Sequence, residues 1–162
     1  MKISIRKATL QDCETIHHMQ RKAFASLLEK YKDYDTNPGK EEIDQIYRRF
    51  NQSFTDYYLI EDEDKVLGAI RIIRKENENM CRVSPIFILP KYQGLGIAQK
   101  VFNIIENTYP WARKWELDTI LQEQGHCYLY EKLGYKKTGR ENKINEKMTI
   151  VYYEKMMDDL DK

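Results

Sequence analysis

Two glycines of a short turn, Gly94 and Gly96, are the residues whose type and spacing most clearly point to chemistry. The turn follows an apolar run at residues 86–89 and a proline, Pro90, and it precedes a segment with helical periodicity. A turn of this kind leaves main-chain N–H groups without partners at the start of the helix. Those N–H groups and the helix dipole favour an anion, and glycine lets a ligand approach the backbone closely. The sequence therefore predicts a phosphate or pyrophosphate site at this turn.

Two familiar phosphate-binding motifs do not fit the turn. The P-loop requires Gly-Lys-Ser/Thr after the glycines, whereas here Gly96 is followed by Ile97 and Ala98. The dinucleotide fingerprint requires three glycines at a fixed spacing, and only two are present. The segment that follows predicts an amphipathic helix, because a single apolar stripe is formed by Ala98, Val101, Phe102 and Ile105.

Length and composition predict a single-domain enzyme. At 162 residues, the chain is long enough for one domain with a substantial core. Its 27 basic and 26 acidic side chains nearly cancel, which gives no electrostatic reason to expect nucleic acid or an anionic membrane as a partner. The N-terminus has no long apolar run, so we expect neither a signal peptide nor a transmembrane helix. Cys13, Cys81 and Cys127 are odd in number and widely spaced, which argues against a disulfide framework or a zinc site. We therefore expect a soluble, cytoplasmic enzyme that holds no metal.

Outside the turn, the hydrophobic pattern predicts strands and helices in alternation. Residues 3–5 alternate as a half-buried strand, and Thr9 with Asp12 forms a capping box that opens a helix. Pro85 interrupts the strand predicted over residues 80–89, and because proline cannot donate to a ladder we expect a bulge or a local splay there. Further strands are predicted at residues 55–61, 66–74, 114–120, 135–138 and 148–154, and further helices at residues 40–50 and 126–133.

Two sequence blocks resemble the GNAT superfamily, the acyl-CoA N-acyltransferases. Gln93, Gly96 and Ala98 form Gln-x-x-Gly-x-Ala, which resembles the acetyl-CoA signature of that superfamily. Residues 129–135, Leu-Tyr-Glu-Lys-Leu-Gly-Tyr, resemble its "LYEKLGF" block. The two blocks stand in the order that the superfamily has, separated by one predicted strand. The chain is therefore identified as a member of the superfamily.

The resemblance implies a fold. The strand, helix and strand around the turn already require a parallel pair with a right-handed connection. In the superfamily this pair is central and splayed, within a single mixed, mostly antiparallel α/β (α+β) sheet that has helices on both faces. The resemblance covers residues 1–155 as one N-acetyltransferase domain and leaves residues 156–162 as a C-terminal tail.

The resemblance also implies an activity, the transfer of an acetyl group from acetyl-CoA to a primary amine of a small molecule or peptide by direct attack on the thioester. The pantetheine arm would lie in the gap between the splayed strands, where main-chain groups of one strand pair with it as an added strand would. The residues implied to hold coenzyme A are Ile86, Phe87 and Ile88 at the pantetheine arm, and Gln93, Gly94, Leu95, Gly96, Ile97, Ala98 and Gln99 at the pyrophosphate.

The reaction needs a base and an acid. A lysine-like amine has a pKa near ~10.4, so its free base costs about 4–5 kcal/mol at pH 7. Glu116 and Asp118 point to the same side of their strand, so either is a candidate base that acts through water. The resemblance makes Tyr130 the general acid that protonates the leaving thiolate. Because the ordinary pKa is near ~8.5 for a thiol and ~10 for tyrosine, that transfer is uphill by about 2 kcal/mol.

Several expectations around this chemistry stay open. Glu123 stands where many family members have an asparagine that contacts the cofactor. His126, one turn before Tyr130, is a candidate contact for pantetheine or the acceptor, but we expect it to be a packed core histidine. In the superfamily the segment at residues 31–51 forms part of the acceptor site, so its loop at residues 32–39, rich in tyrosine and acid, is the candidate for acceptor contacts. An exposed loop over an apolar helix face fits equally well. The chain is a monomer or a homodimer. A sensor or interaction module that binds coenzyme A without catalysis is the alternative function.

Overall fold

A seven-stranded sheet forms the centre of the computed structural model, which describes residues 1–157, so residues 158–162 of the predicted tail lie outside the described residues. Its strand order is β1-β2-β3-β4-β5-β7-β6. The strands are β1 (Ile3–Lys7), β2 (Thr55–Asp62), β3 (Lys65–Lys75), β4 (Met80–Ile88), β5 (Lys114–Ile120), β6 (Lys136–Asn145) and β7 (Met148–Met156). The α-helices within residues 1–157 are α1 (Cys13–Tyr31), α2 (Ile43–Phe50), α3 (Ile97–Thr108) and α4 (Gln124–Lys132). None of these helices has both the length and the apolarity that a membrane crossing requires.

The central strands β4 and β5 run parallel, and they separate soon after they pair. Residues 80–82 of β4 pair with residues 114–116 of β5, and beyond this point the two strands share no further register. All other neighbours in the sheet are antiparallel. The predicted fold class, a mostly antiparallel sheet with a splayed central parallel pair, is therefore confirmed.

A bulge accompanies the separation, and it lies where Pro85 predicts one. On β4, Ile86 pairs with Ile70 of β3 and Val83 pairs with Ile72, so two β4 residues face one residue of β3. That one residue is Arg71, whose Nη1 donates to Ser84 O at 2.9 Å. Because Pro85 has no N–H to give, the ladder breaks at this point and β4 bends away from β5.

Two apolar layers cover the faces of the sheet and confirm that helices lie on both sides. The layer beneath α3 and α4 contains the predicted stripe residues Val101, Phe102 and Ile105, which are fully buried, whereas Ala98 faces a cavity. Each fully buried apolar side chain of this size contributes about 1.5–3 kcal/mol. The layer beneath α1 and α2 contains Ile16, Met19, Ile46, Tyr57, Leu59, Ala69 and Phe87.

Several element boundaries differ from the sequence prediction. The capping box is present, with Thr9 N donating to Asp12 Oδ2 at 2.7 Å, but it opens a short 3₁₀ turn that leads into α1. Helix α2 begins at Ile43 because residues 38–40 form a separate 3₁₀ turn. Strand β6 continues to Asn145, well beyond the predicted residue 138. It is an edge strand with mostly exposed side chains, so its sequence carries no alternation of apolar and polar residues.

The approach of β3 to β4 predicts that Gly68→Ala destabilises the protein by on the order of 1–3 kcal/mol. A Cβ built on Gly68 would stand 2.1 Å from Phe87 O, which is main chain, so β4 itself must move. The free energy of unfolding from urea titration measures the loss. Gly125→Ala on α4 is the control, because a Cβ there meets nothing within 4 Å and stability should not fall. Equal stability of the two variants would contradict the close approach of these strands.

Candidate active site

A cavity of about 860 Å³ opens where β4 and β5 separate. One part, the donor half, is lined by the bend of β4, the glycine turn and α4. The other part, the acceptor half, is lined by α1, the loop that follows α1, and the ends of β5, β6 and β7. Because the strands part, one continuous space reaches side chains from both faces of the sheet.

The glycine turn presents a row of unpaired N–H groups to the donor half. Gly94 and Gly96 both have φ of +79°, and a Cβ on either would meet nothing within 4 Å. Within residues 1–157, no backbone acceptor is found for the N–H groups of residues 94–99, and the next N–H, that of Lys100, donates to Gly96 O at 3.4 Å. Open space above unpaired N–H groups at a helix N-terminus suits an anion. Leu95 is 56% exposed and does not line the cavity, unlike the other predicted residues of the turn.

The bend of β4 divides its main-chain groups between two directions. Leu89 N donates to Leu67 O of β3 at 2.8 Å. Since successive residues of a strand alternate, the main-chain groups of Phe87 also face β3, and those of Ile86 and Ile88 face the gap. Of these, Ile88 O already accepts a hydrogen bond from Gln93 Nε2 at 2.8 Å. The groups available in the gap therefore belong to Ile86 and Ile88, and Gln93 ties the turn to the end of the strand.

The two candidate bases share a cation but differ in position. Arg82, at the last paired position of β4, contacts Glu116 at 3.6 Å and makes a closer ion pair with Asp118. Glu116 also accepts from Lys75 Nζ at 3.2 Å. Asp118 lines the cavity, whereas Glu116 does not. The structure thus brings one of the two carboxylates into the space where a substrate can lie.

The environment of Asp118 favours proton uptake more than that of an exposed carboxylate. Burial raises the pKa of Asp118 above its ordinary value, and the guanidinium of Arg82 opposes that rise. A carboxylate in this setting is a stronger base than one in water. It is suited to accept a proton through a water molecule.

Tyr130 also lines the cavity, at the end of a cluster of aromatic rings. Its ring meets those of Phe102, Tyr135 and Tyr153 edge-on or tilted, with centroids 5.7, 6.3 and 6.1 Å away. Within residues 1–157, its hydroxyl has no hydrogen-bond partner. Burial raises the pKa of Tyr130, and the charge of Asp118 adds to the rise, so the phenol carries its proton at neutral pH. A protonated, unpartnered hydroxyl in the cavity is able to donate.

Two residues at the start of α4 have surroundings that their sequence context did not reveal. Glu123 accepts from Lys30 Nζ at 2.8 Å and from Tyr31 Oη at 2.5 Å, which joins α1 to α4. Burial acts to raise the pKa of Glu123, but these two hydrogen bonds hold that pKa below its ordinary value.

The expectation of a packed core histidine is wrong for His126, since its side chain is exposed and lines the cavity. In the described part of the chain, neither of its ring nitrogens has a hydrogen-bond partner.

The loop after α1, the candidate for acceptor contacts, does reach the cavity. Asp33, Thr36, Asn37, Pro38 and Glu41 all line its acceptor half. Opposite them the wall is apolar and comes from α1 and from the last strands. The apolar residues of this wall include Phe24, Leu27, Ile120, Ile144, Met148 and Ile150.

Arg82 is the residue beside the candidate bases that sequence reasoning missed. It stands two residues before Ser84 on a strand with period two, on the same face as Glu116 and Asp118 of the neighbouring strand. The alternation along β4 could have predicted which face of the sheet Arg82 lies on. Only the register between β4 and β5 identifies its carboxylate partners.

Comparisons with known proteins agree with this geometry. A family model described as an acetyltransferase (GNAT) domain matches residues 18–157. An uncharacterized N-acetyltransferase of Escherichia coli K12, YjgM, is 26% identical over 136 residues, which covers 81% of this chain and 80% of that protein. Spermidine N-acetyltransferase from Vibrio cholerae, solved with CoA and spermine, superposes with a TM-score of 0.77 at 17% identity, over 96% of this chain and 95% of that one. PaiA N-acetyltransferase from Thermoplasma acidophilum, solved with coenzyme A, superposes with a TM-score of 0.70 at 18% identity, over 97% of this chain and 100% of that one.

Proposed function

Because this chain belongs to the GNAT family and is an acyl-CoA-dependent N-acetyltransferase, we propose that it acetylates a primary amine of a small molecule or peptide bound in the cavity between α1 and α4. The observation that carries the proposal is the row of N–H groups at residues 94–99, which have no main-chain acceptor within residues 1–157. All of these residues except Leu95 line the same space as Asp118 and Tyr130. Acetyl-CoA is the donor, and the acceptor amine enters from the acceptor half.

The donor is held mainly by main-chain groups. The N–H groups of residues 94–99 bind the pyrophosphate, and the positive φ of Gly94 and Gly96 aims those groups at it. The main-chain groups of Ile86 and Ile88 that face the gap pair with the amides of the pantetheine arm. Gln93 supports the turn through its bond to Ile88 O. Positioning the two reactants in this way supplies a large part of the rate by itself.

Asp118 removes the proton that the amine must lose. Asp118 takes the first proton from the ammonium group through a water molecule, and Arg82 holds the carboxylate in place. The neutral amine then attacks the thioester carbonyl carbon, the new C–N bond forms, and the C–S bond breaks. The nitrogen loses its second proton as the amide forms, and this proton replaces the one that Tyr130 gives to the sulfur. Glu116 has no such role because it does not line the cavity.

Tyr130 supplies the proton that the leaving thiolate needs. Its hydroxyl has no protein partner within residues 1–157 and lines the cavity, so it is free to hydrogen-bond the sulfur. Burial raises the pKa of Tyr130 and so increases the cost of the transfer, but the same burial disfavours the thiolate anion. The balance of the two effects favours a transfer that is concerted with C–S cleavage.

We also propose a cytoplasmic location and a single domain that extends slightly beyond the predicted boundary at residue 155. Cys13, Cys81 and Cys127 are all unpaired and buried, which suits a reducing compartment. Strand β7 ends at Met156, and Met157 N donates to Arg113 O at 2.8 Å, so the domain continues to at least this residue.

The experiment that tests the function incubates the protein with acetyl-CoA and a panel of amines, amino acids and peptides, and measures free thiol. Acetyl transfer gives thiol release that depends on the amine. Thermal stabilisation by coenzyme A without turnover on any acceptor would instead indicate the alternative, a sensor that binds coenzyme A.

We expect Gly96→Ala to weaken coenzyme A binding about tenfold, equivalent to about 1.4 kcal/mol. An alanine at φ +79° is strained, and relief of that strain turns the N–H groups away from the pyrophosphate, while the methyl group enters open space that the ligand needs. Calorimetric titration measures the affinity. Gly139→Ala is matched in strain, at φ +93° and also with open space, but lies on β6 outside the cavity, so its affinity stays at the wild-type value. Equal losses in both variants would refute the role of the turn.

Substitution Asp118→Asn should lower kcat by about 10²- to 10⁴-fold, because a general base contributes on that order. Glu116→Gln is the control, since it removes the other carboxylate that contacts Arg82 without changing the cavity wall. Steady-state kinetics with saturating acetyl-CoA compares the two. A loss of turnover that is larger in Glu116→Gln would exclude Asp118 as the base.

For Tyr130→Phe we expect unchanged affinity for coenzyme A and a loss of turnover of about 10²-fold or more. The phenylalanine ring keeps the aromatic packing and removes only the donor hydroxyl. Tyr128→Phe, two residues away, provides the control because Tyr128 is 68% exposed and does not line the cavity. Unchanged turnover in Tyr130→Phe would remove this tyrosine from the mechanism.

A further inference from the structure

The acceptor half of the cavity has a predominantly apolar wall. Leu27 of α1 packs with Ile120, Ile144, Met148 and Ile150 from the ends of the last three strands, around the ring of Tyr31. These five side chains also line the cavity. A substrate that enters here buries its body against hydrocarbon, which favours an apolar body over a polar or charged one.

The carboxylates of the cavity are already engaged by the protein. Glu41 accepts from both Nη1 and Nη2 of Arg49, each at 2.8 Å, and from Gln20. Glu123 is held by Lys30 and Tyr31, and Asp118 by Arg82. Each of these three carboxylates therefore has a cation from the protein itself.

Asp33 is the exception. Its oxygens accept from Asp35 N at 3.3 Å, Thr36 N at 3.0 Å and the Thr36 hydroxyl, but within residues 1–157 no Lys or Arg nitrogen lies within 4.0 Å of it. Three of the four carboxylates thus have a partner cation, and Arg140, stacked on Tyr152 of the cavity wall at 4.2 Å, adds a further positive charge near Asp118. The cavity therefore carries no surplus of negative charge.

This balance disfavours an acceptor with several positive charges. A ligand with several ammonium groups would have to compete with Arg49, Lys30 or Arg82 for a carboxylate, and a displaced Arg49 or Lys30 would then lose its carboxylate partner. Breaking such pairs in a partly buried site is costly. A single ammonium group, by contrast, needs only one carboxylate oxygen, and the ion pair of Arg82 with Asp118 uses only Oδ2 of that carboxylate.

We infer, resting on the proposed acetyltransferase function, that the acceptor is a monoamine with an apolar body rather than a polyamine. Its amino group lies near Asp118 and the thioester, and its body lies against Leu27, Ile120 and Ile150. The product is the neutral amide, and the proton that the amine loses leaves through Asp118. The spermidine N-acetyltransferase neighbours share the fold with this chain but would differ from it in acceptor.

A comparison of two amines tests the inference. Binding of 2-phenylethylamine and of spermidine is measured by calorimetry on the protein saturated with coenzyme A, and kcat/KM for each is measured with acetyl-CoA. We expect 2-phenylethylamine to be favoured about tenfold or more in both measurements, the scale of discrimination that hydrophobic contacts give. Tighter binding of spermidine, or binding of neither amine, would overturn the inference. The binding measurement stands apart from turnover, so absence of thiol release with every amine would count against the function alone.

A variant of the apolar wall makes the test sharper. Ile150→Asp adds an unpaired carboxylate to the wall, and Ile150→Thr is the matched control that removes apolar surface without adding charge. We expect Ile150→Asp to lose affinity for 2-phenylethylamine and to gain affinity for spermidine, while Ile150→Thr shows only the first change. A gain for spermidine in both variants, or in neither, would contradict this charge balance. Coenzyme A affinity of each variant verifies that it has folded.

Discussion

The site depends on an interruption of main-chain pairing between β4 and β5. Three residues of each strand pair, and β4 then bends at the bulge opposite Arg71 while β5 continues beside β7. A gap inside a sheet leaves polar main-chain groups without strand partners, and such groups are costly unless something pairs with them. A ligand arm that carries amides supplies that pairing. Because the glycine turn begins where β4 ends, the same bend also brings residues 94 and 96–99 to the wall of the gap.

Ion pairs hold the walls of this gap where apolar packing cannot. Arg82 stands at the last paired position of β4, so its guanidinium reaches Asp118 on the strand that is moving away. At the other side of the cavity, Glu123 connects the start of α4 to Lys30 at the end of α1. Hydrophobic side chains packed between the separating strands would fill the space that the substrates need. The ion pairs hold the strands apart and still leave room for water and an amine. They also place the charged carboxylate of Asp118 near Tyr130.

The parts of this arrangement that follow local rules could be predicted from the sequence. The glycine turn, the buried stripe of α3 and the bulge at Pro85 each arise from residues within a few positions of one another. The partners of Arg82 and the exposure of His126 could not be predicted, because both depend on which strand or helix lies opposite. Which of Glu116 and Asp118 lines the cavity could not be predicted for the same reason. They share a face, and only the point at which β5 leaves β4 decides which one meets the cavity.

The distinction between local and long-range features also explains why family membership indicates the donor of the reaction but not the acceptor. The donor half uses main-chain groups of a strand and a turn, whose geometry survives extensive change of side chains. Solved neighbours of 17–18% identity accordingly share the fold over 96–97% of this chain. The acceptor half is built from side chains of α1, its following loop and the last strands, which lie far apart in sequence. Any preference there depends on which carboxylates are already paired and which wall is apolar, and in this chain Arg49, Lys30 and Arg82 already pair with three of the carboxylates that line the cavity.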